Sequence, residues 1–94
     1  MANELAYAAS KGAVEAFTVS LSPAAMRRGI TVNAIDPGAT DTGWMSETQK
    51  AAWIANAAGG RLGLPEDAAR LAGFLASDDA QWITGQIIHS RGGA

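Results

Sequence analysis

Tyr7 and Lys11 stand four positions apart in the stretch "AYAASKGA", residues 6 to 13, with only small residues between them. On a helix, side chains four apart lie one above the other with Cβ atoms about 5–6 Å apart. A phenol is mostly protonated at neutral pH, and a neighbouring ammonium favours its phenolate. Such a pair can give or take a proton at a carbonyl or alcohol oxygen. Spacing alone also fits a tyrosine packed on a neighbouring helix beside a solvated lysine, and for a bare Y-x-x-x-K that is the commoner case. A second chemical stretch, "DPGATDTGW" at residues 36 to 44, supplies hydroxyls, backbone amides and a carboxylate.

The elements that must hold these groups follow from the pattern. From Glu4 to Arg28 the chain is rich in helix formers, with Tyr7, Val14, Phe17, Leu21 and Ala25 at helical spacing. Pro23 cannot donate to the carbonyl of Val19, so the helix either kinks there or restarts with Ser22 as its cap. Gly29 is placed to end it in the left-handed conformation, and the Arg27-Arg28 doublet favours a helix C-terminus. "ITVNAI", 30 to 35, reads as a strand buried on both faces, as in parallel sheets. Residues 36 to 64 then leave the C-terminal end of that strand, where ligands bind in open α/β sheets. Within them Ser46 and Gln49 resemble a capping box that opens a short helix over 47–58. Pro65-Glu66-Asp67 starts a helix over 65–77, and "QIIHS", 86 to 90, is a last strand. Strand, crossover helix and strand form a βαβ unit with two parallel strands. Such a sheet leaves both edges open and buries little, so the expectation is one partial domain over 1–94 that is incomplete as a stand-alone sheet.

Bulk properties narrow the function classes. Ninety-four residues make at most one domain, and 48 % hydrophobic and 17 % charged residues with net charge −2 describe a globular chain. The basic residues are scattered, which argues against nucleic acid as a partner. With no cysteine and one histidine, His89, no metal site is expected. No apolar run approaches a membrane span and the first residues lack the order of a signal peptide, so no membrane partner and a cytoplasmic location are expected.

Two longer stretches strongly resemble the short-chain dehydrogenase/reductase family. "YAASKGAVEAFTVSLSPAAMRRGITVNAIDPGATDT" is similar to that family's active-site helix, following strand and cofactor loop, including Y-x-x-x-K and P-G. "GRLGLPEDAARLAGFLASDDAQWITGQIIHSRGG" is similar to its C-terminal segment. The resemblance runs from about Glu4 to Gly93. It implies the C-terminal part of a Rossmann-like doubly wound parallel sheet and hydride transfer between a carbonyl and an alcohol with NAD or NADP. Tyr7 would be the acid/base at the carbonyl oxygen. Lys11 would bind the nicotinamide ribose and favour the phenolate. Pro37, Gly38, Ala39, Thr40 and Thr42 would touch the nicotinamide end of the cofactor. The segment from Asp41 to Arg61 matches a mobile substrate lid, making Trp44, Met45 and Trp53 candidates for the pocket, with aromatic core packing equally open to them. His89 and Arg91, in "HSRGG" where many members have "VDGG", would mark a subgroup or a subunit contact.

The family's glycine-rich phosphate loop and catalytic serine lie further upstream than six residues before the tyrosine, so neither is among these residues. Two readings follow. One is the C-terminal portion of an oxidoreductase acting on a small carbonyl or alcohol, inactive alone. The other is a non-catalytic association module that pairs with its own kind or a longer relative, since the family commonly forms homo-oligomers.

Overall fold

The computed structural model describes residues 2–93. Its elements run α1 (Ala2–Met26), β1 (Ala34–Asp36), α2 (Glu47–Asn56), α3 (Pro65–Leu75), a 3-10 turn (Asp78–Ala80) and β2 (Ile87–His89). The chain is thus α/β, with a small parallel sheet and three helices among the described residues.

α1 passes through Pro23 without a break. The reason lies one residue earlier. Ring closure leaves the Val19 carbonyl without its usual donor, and the Ser22 hydroxyl donates to that oxygen at 2.9 Å. Past Met26 the chain turns at Gly29, φ +72°, whose N–H donates to the Met26 carbonyl. Ser22 is buried and lies against Gly85, where an added Cβ would come within 2.6 Å of its hydroxyl. A glycine there lets the last third of α1 sit on the approach to β2.

β1 and β2 pair in parallel with Ala34 opposite Ile87, Ile35 opposite Ile88 and Asp36 opposite His89. The strand expected over 30–35 is shorter and shifted. Before Ala34 the ladder is carried partly by side chains: Val32 N–H donates to Thr84 Oγ1 and Gln86 N–H donates to Asn33 Oδ1. The expectation of a strand buried on both faces is also corrected, because Ala34 and Ile35 are only half-buried with a single partner strand beside them.

α2 begins with the capping box read from sequence: Ser46 Oγ accepts from Gln49 N–H and the Gln49 side chain accepts from Ser46 N–H. It ends at Asn56, two residues short of the expected span. α3 ends at Leu75 instead of 77, where the Ser77 hydroxyl donates to the Phe74 carbonyl and the 3-10 turn follows.

The interior is small. Among the described residues the buried apolar side chains are Leu62 and Ala80, accompanied by Thr18, Ser22 and Asp36. Leu5, Val14, Phe17 and Ile30 all keep more than half of their surface in water. The radius of gyration, 15.7 Å, exceeds the ~12 Å expected of a compact chain of this length. The expectation of little buried surface from a two-stranded parallel sheet is met in these residues.

Candidate functional site

Tyr7 and Lys11 share one face of α1, with the Lys11 ammonium 5.9 Å from the centroid of the Tyr7 ring. Tyr7 is 66 % exposed. Lys11 does not run free into solvent: its Nζ donates to Asp36 Oδ1 at 3.3 Å, across 25 residues of sequence. This ion pair brings the helix to the C-terminal end of β1, next to the Pro37-Gly38 turn.

Asp36 is the centre of that junction. It is buried, and both carboxylate oxygens are used. Oδ1 accepts from Lys11 and from the Gly38 N–H, 3.3 Å away; Oδ2 accepts from His89 Nδ1 at 2.9 Å and from the Arg91 guanidinium. The arginine above all, then the histidine and lysine, hold its carboxyl well below the usual carboxylate range, against burial that pushes it up. Asp36 and His89 meet because the parallel register sets them side by side. Arg91 arrives by a different route, its aliphatic stem crossing Gly38 so closely that a Cβ there would stand 2.8 Å from its Cγ. With φ at +66°, Gly38 also adopts a conformation that side chains disfavour.

The rest of the loop is fixed by short-range bonds. Thr40 Oγ1 donates to the Gly38 carbonyl at 3.3 Å, while Asp41 N–H donates to the Gly63 carbonyl and Gly63 N–H to that of Ala39. Thr42 is exposed. Trp44 Nε1 donates to the Thr40 carbonyl at 2.9 Å, tying the first lid aromatic to the loop, and Lys50 on α2 pairs with Asp41 at 2.8 Å. Lys50 draws the Asp41 carboxyl below its ordinary value. Met45 is half-buried, and Trp53 on α2 is half exposed with no hydrogen bond to Trp44 among the described residues. The structure therefore gathers Lys11 and Gly38 at Asp36, with Tyr7 beside Lys11, and ties Trp44 back to the loop at Thr40; no hydrogen bond joins Trp53 to these groups among the described residues.

Sequence reasoning missed Asp36 as the node and gave His89 and Arg91 no role inside the chain. Their positions 53 and 55 residues from Asp36 leave no local signal. It also read Asp67 only as a helix-start acid. Asp67 accepts from both terminal nitrogens of Arg61 (2.8 and 3.0 Å) and from Leu64 N–H, capping α3. These donors lower its carboxyl to about 2. The signal was present in "GRLGLPED", where an arginine precedes an acid by six positions. This pair and Arg70, Arg91, Pro37 and Gly59 line a cleft beside the loop.

The family model described as Enoyl-(Acyl carrier protein) reductase matches residues 1–94. Among curated relatives, the uncharacterized oxidoreductase YjdA of Bacillus subtilis is 58 % identical over 90 residues, 96 % of this chain and 36 % of that protein. The 3-oxoacyl-[acyl-carrier-protein] reductase FabG of Haemophilus influenzae is 47 % identical over 90 residues, 93 % of this chain and 37 % of its own length. The FabG of Vibrio harveyi is 40 % identical over 95 residues, 98 % and 39 % respectively. The chain thus spans well under half the length of the relatives it matches.

Proposed function

This chain belongs to the short-chain dehydrogenase/reductase family, and from that premise we propose that it forms the Y-x-x-x-K portion of an NAD(P)-dependent oxidoreductase acting on a small carbonyl or alcohol. The observation that carries the reading is the Lys11–Asp36 ion pair, which joins the tyrosine-bearing helix to the loop after β1. Tyr7, exposed beside the ammonium, gives its phenolic proton to the substrate oxygen in the reductive direction and takes it back in the oxidative one. Lys11 supplies the positive charge that stabilises the phenolate left behind.

The residues fit one end of a nicotinamide cofactor. Lys11 and Tyr7 offer a cation and a hydroxyl to ribose oxygens, beside the turn at Pro37-Gly38 that follows β1. The cofactor, when bound, supplies or accepts the hydride. No glycine-rich phosphate loop lies among these 94 residues, so binding energy from pyrophosphate and adenosine has no place to act here. The chain alone is therefore expected to bind neither NADH nor NADPH tightly. Calorimetric titration of each into the purified chain tests this: negligible heat at micromolar concentrations is expected, and micromolar binding of either overturns it.

A second reading, a non-catalytic association module, draws on the apolar side chains that α1 leaves in water, Leu5, Val14 and Phe17 among them. Sedimentation at low micromolar concentration separates it, because a monomer there contradicts association through this face.

A further inference from the structure

We propose that Asp36 is the positioning residue of Lys11: its carboxylate holds the ammonium against the Pro37-Gly38 turn, while Arg91 competes for the same carboxylate from the segment that follows β2. The inference rests on the reading that gives Lys11 a role beside Tyr7. A lysine side chain is long, flexible and rich in rotamers, so helix geometry fixes only its first atoms. Where the ammonium ends up depends on its anchor. Lys11 keeps 43 % of its side chain in water, whereas the Asp36 side chain keeps 6 %. The exposed partner is thus held by the buried one.

The division of the carboxylate gives each donor a distinct effect. Oδ1 faces the helix and the loop, taking Lys11 Nζ and Gly38 N–H, both at 3.3 Å. Oδ2 faces β2, taking His89 Nδ1 and Arg91. Asp36 therefore attracts the Lys11 cation. Arg91 weakens that attraction by drawing negative charge to the other oxygen and by adding a positive charge nearby. The two residues touch each other yet act on Lys11 with opposite sign. A purely structural role predicts something else, namely that loss of either loosens the site and frees the lysine.

The chain has two lysines, Lys11 and Lys50, and the second, paired with Asp41 at 2.8 Å, is an internal reference. The experiment is competitive acetylation of the full chain with trace acetic anhydride, reading the Lys11 to Lys50 ratio by mass spectrometry. Asp36→Asn, which keeps the side chain's shape, is expected to raise the ratio about threefold or more, as befits a half-exposed ion pair. Arg91→Met, which keeps an aliphatic stem over Gly38, is expected to lower it. A ratio unchanged in Asp36→Asn, or raised in both variants, overturns the proposal. The readout involves neither cofactor nor hydride, so the calorimetric result and this one fail independently.

Discussion

At the end of β1 a carboxylate that is almost wholly buried has donors on both oxygens, all supplied by this chain. On α1, Val14 and Phe17 stand 58 % and 66 % exposed, with nothing apolar in the described residues to cover them. The polar region satisfies itself because a hydrogen bond needs one correctly placed partner, and three short segments supply four. The apolar region cannot, since hydrophobic stabilisation grows with the area removed from water and needs a whole facing surface. Among the described residues local chemistry is thus assembled where little apolar surface is buried.

The largest test of this contrast addresses the apolar side. If the α1 face associates, Phe17→Asp should weaken that association at least about tenfold, because burying a phenylalanine is worth ~1.5–3 kcal/mol. Sedimentation equilibrium measures it, and circular dichroism should show the helix content unchanged. Equal association by both proteins removes this face from the comparison. A smaller effect is expected at the polar end. Gly38→Ala forces a side chain into the left-handed region and into the Arg91 stem, 2.8 Å away, which costs about 1–2 kcal/mol. Denaturant midpoints read this loss, and no shift would mean that Arg91 does not lie across the turn.

The smallest effect is in acid. Asp36 and Asp67 both have carboxyls held below the ordinary 3.8, Asp67 to about 2 and Asp36 lower still. A depressed carboxyl stabilises the fold above its unfolded value and loses that contribution as pH falls through its folded value. Denaturant midpoints should therefore be flat above about pH 4 and fall progressively below pH 3.8, the Asp67 share ending near pH 2 and the Asp36 share continuing below it. Asp67→Asn should lessen the slope throughout pH 3.8 to 2 and leave the share that belongs to Asp36, while the apolar face contributes none of it.

What the sequence disclosed and what it hid follow the same division. Ser46 with Gln49, Gly29 after the arginine doublet and Pro65 opening α3 were readable because each acts within one turn of chain. At Pro23 local reasoning left two outcomes, and the Ser22 hydroxyl, able to replace the missing donor, produced an unbroken helix. The first residue of β1 was not readable, since it depends on where Gln86 and Ile87 arrive from 53 positions away. In the candidate site, Tyr7, Lys11 and the Pro37-Gly38 turn were legible from motif and resemblance. Their junction at Asp36 was not, because its partners come from three separate parts of the chain.

The seating of Ser22 against Gly85 gives α1 the mechanics of a cantilever. Fifteen residues separate this clamped point from Tyr7, about 22 Å of helix, so a tilt of about 5° at Ser22 would swing the phenol by about 2 Å. Misplacement of a reacting group by even about 1 Å can be expensive in rate. The Lys11–Asp36 pair meets the beam near its free end, four residues from Tyr7, and acts as a stay: it limits the swing where leverage is greatest.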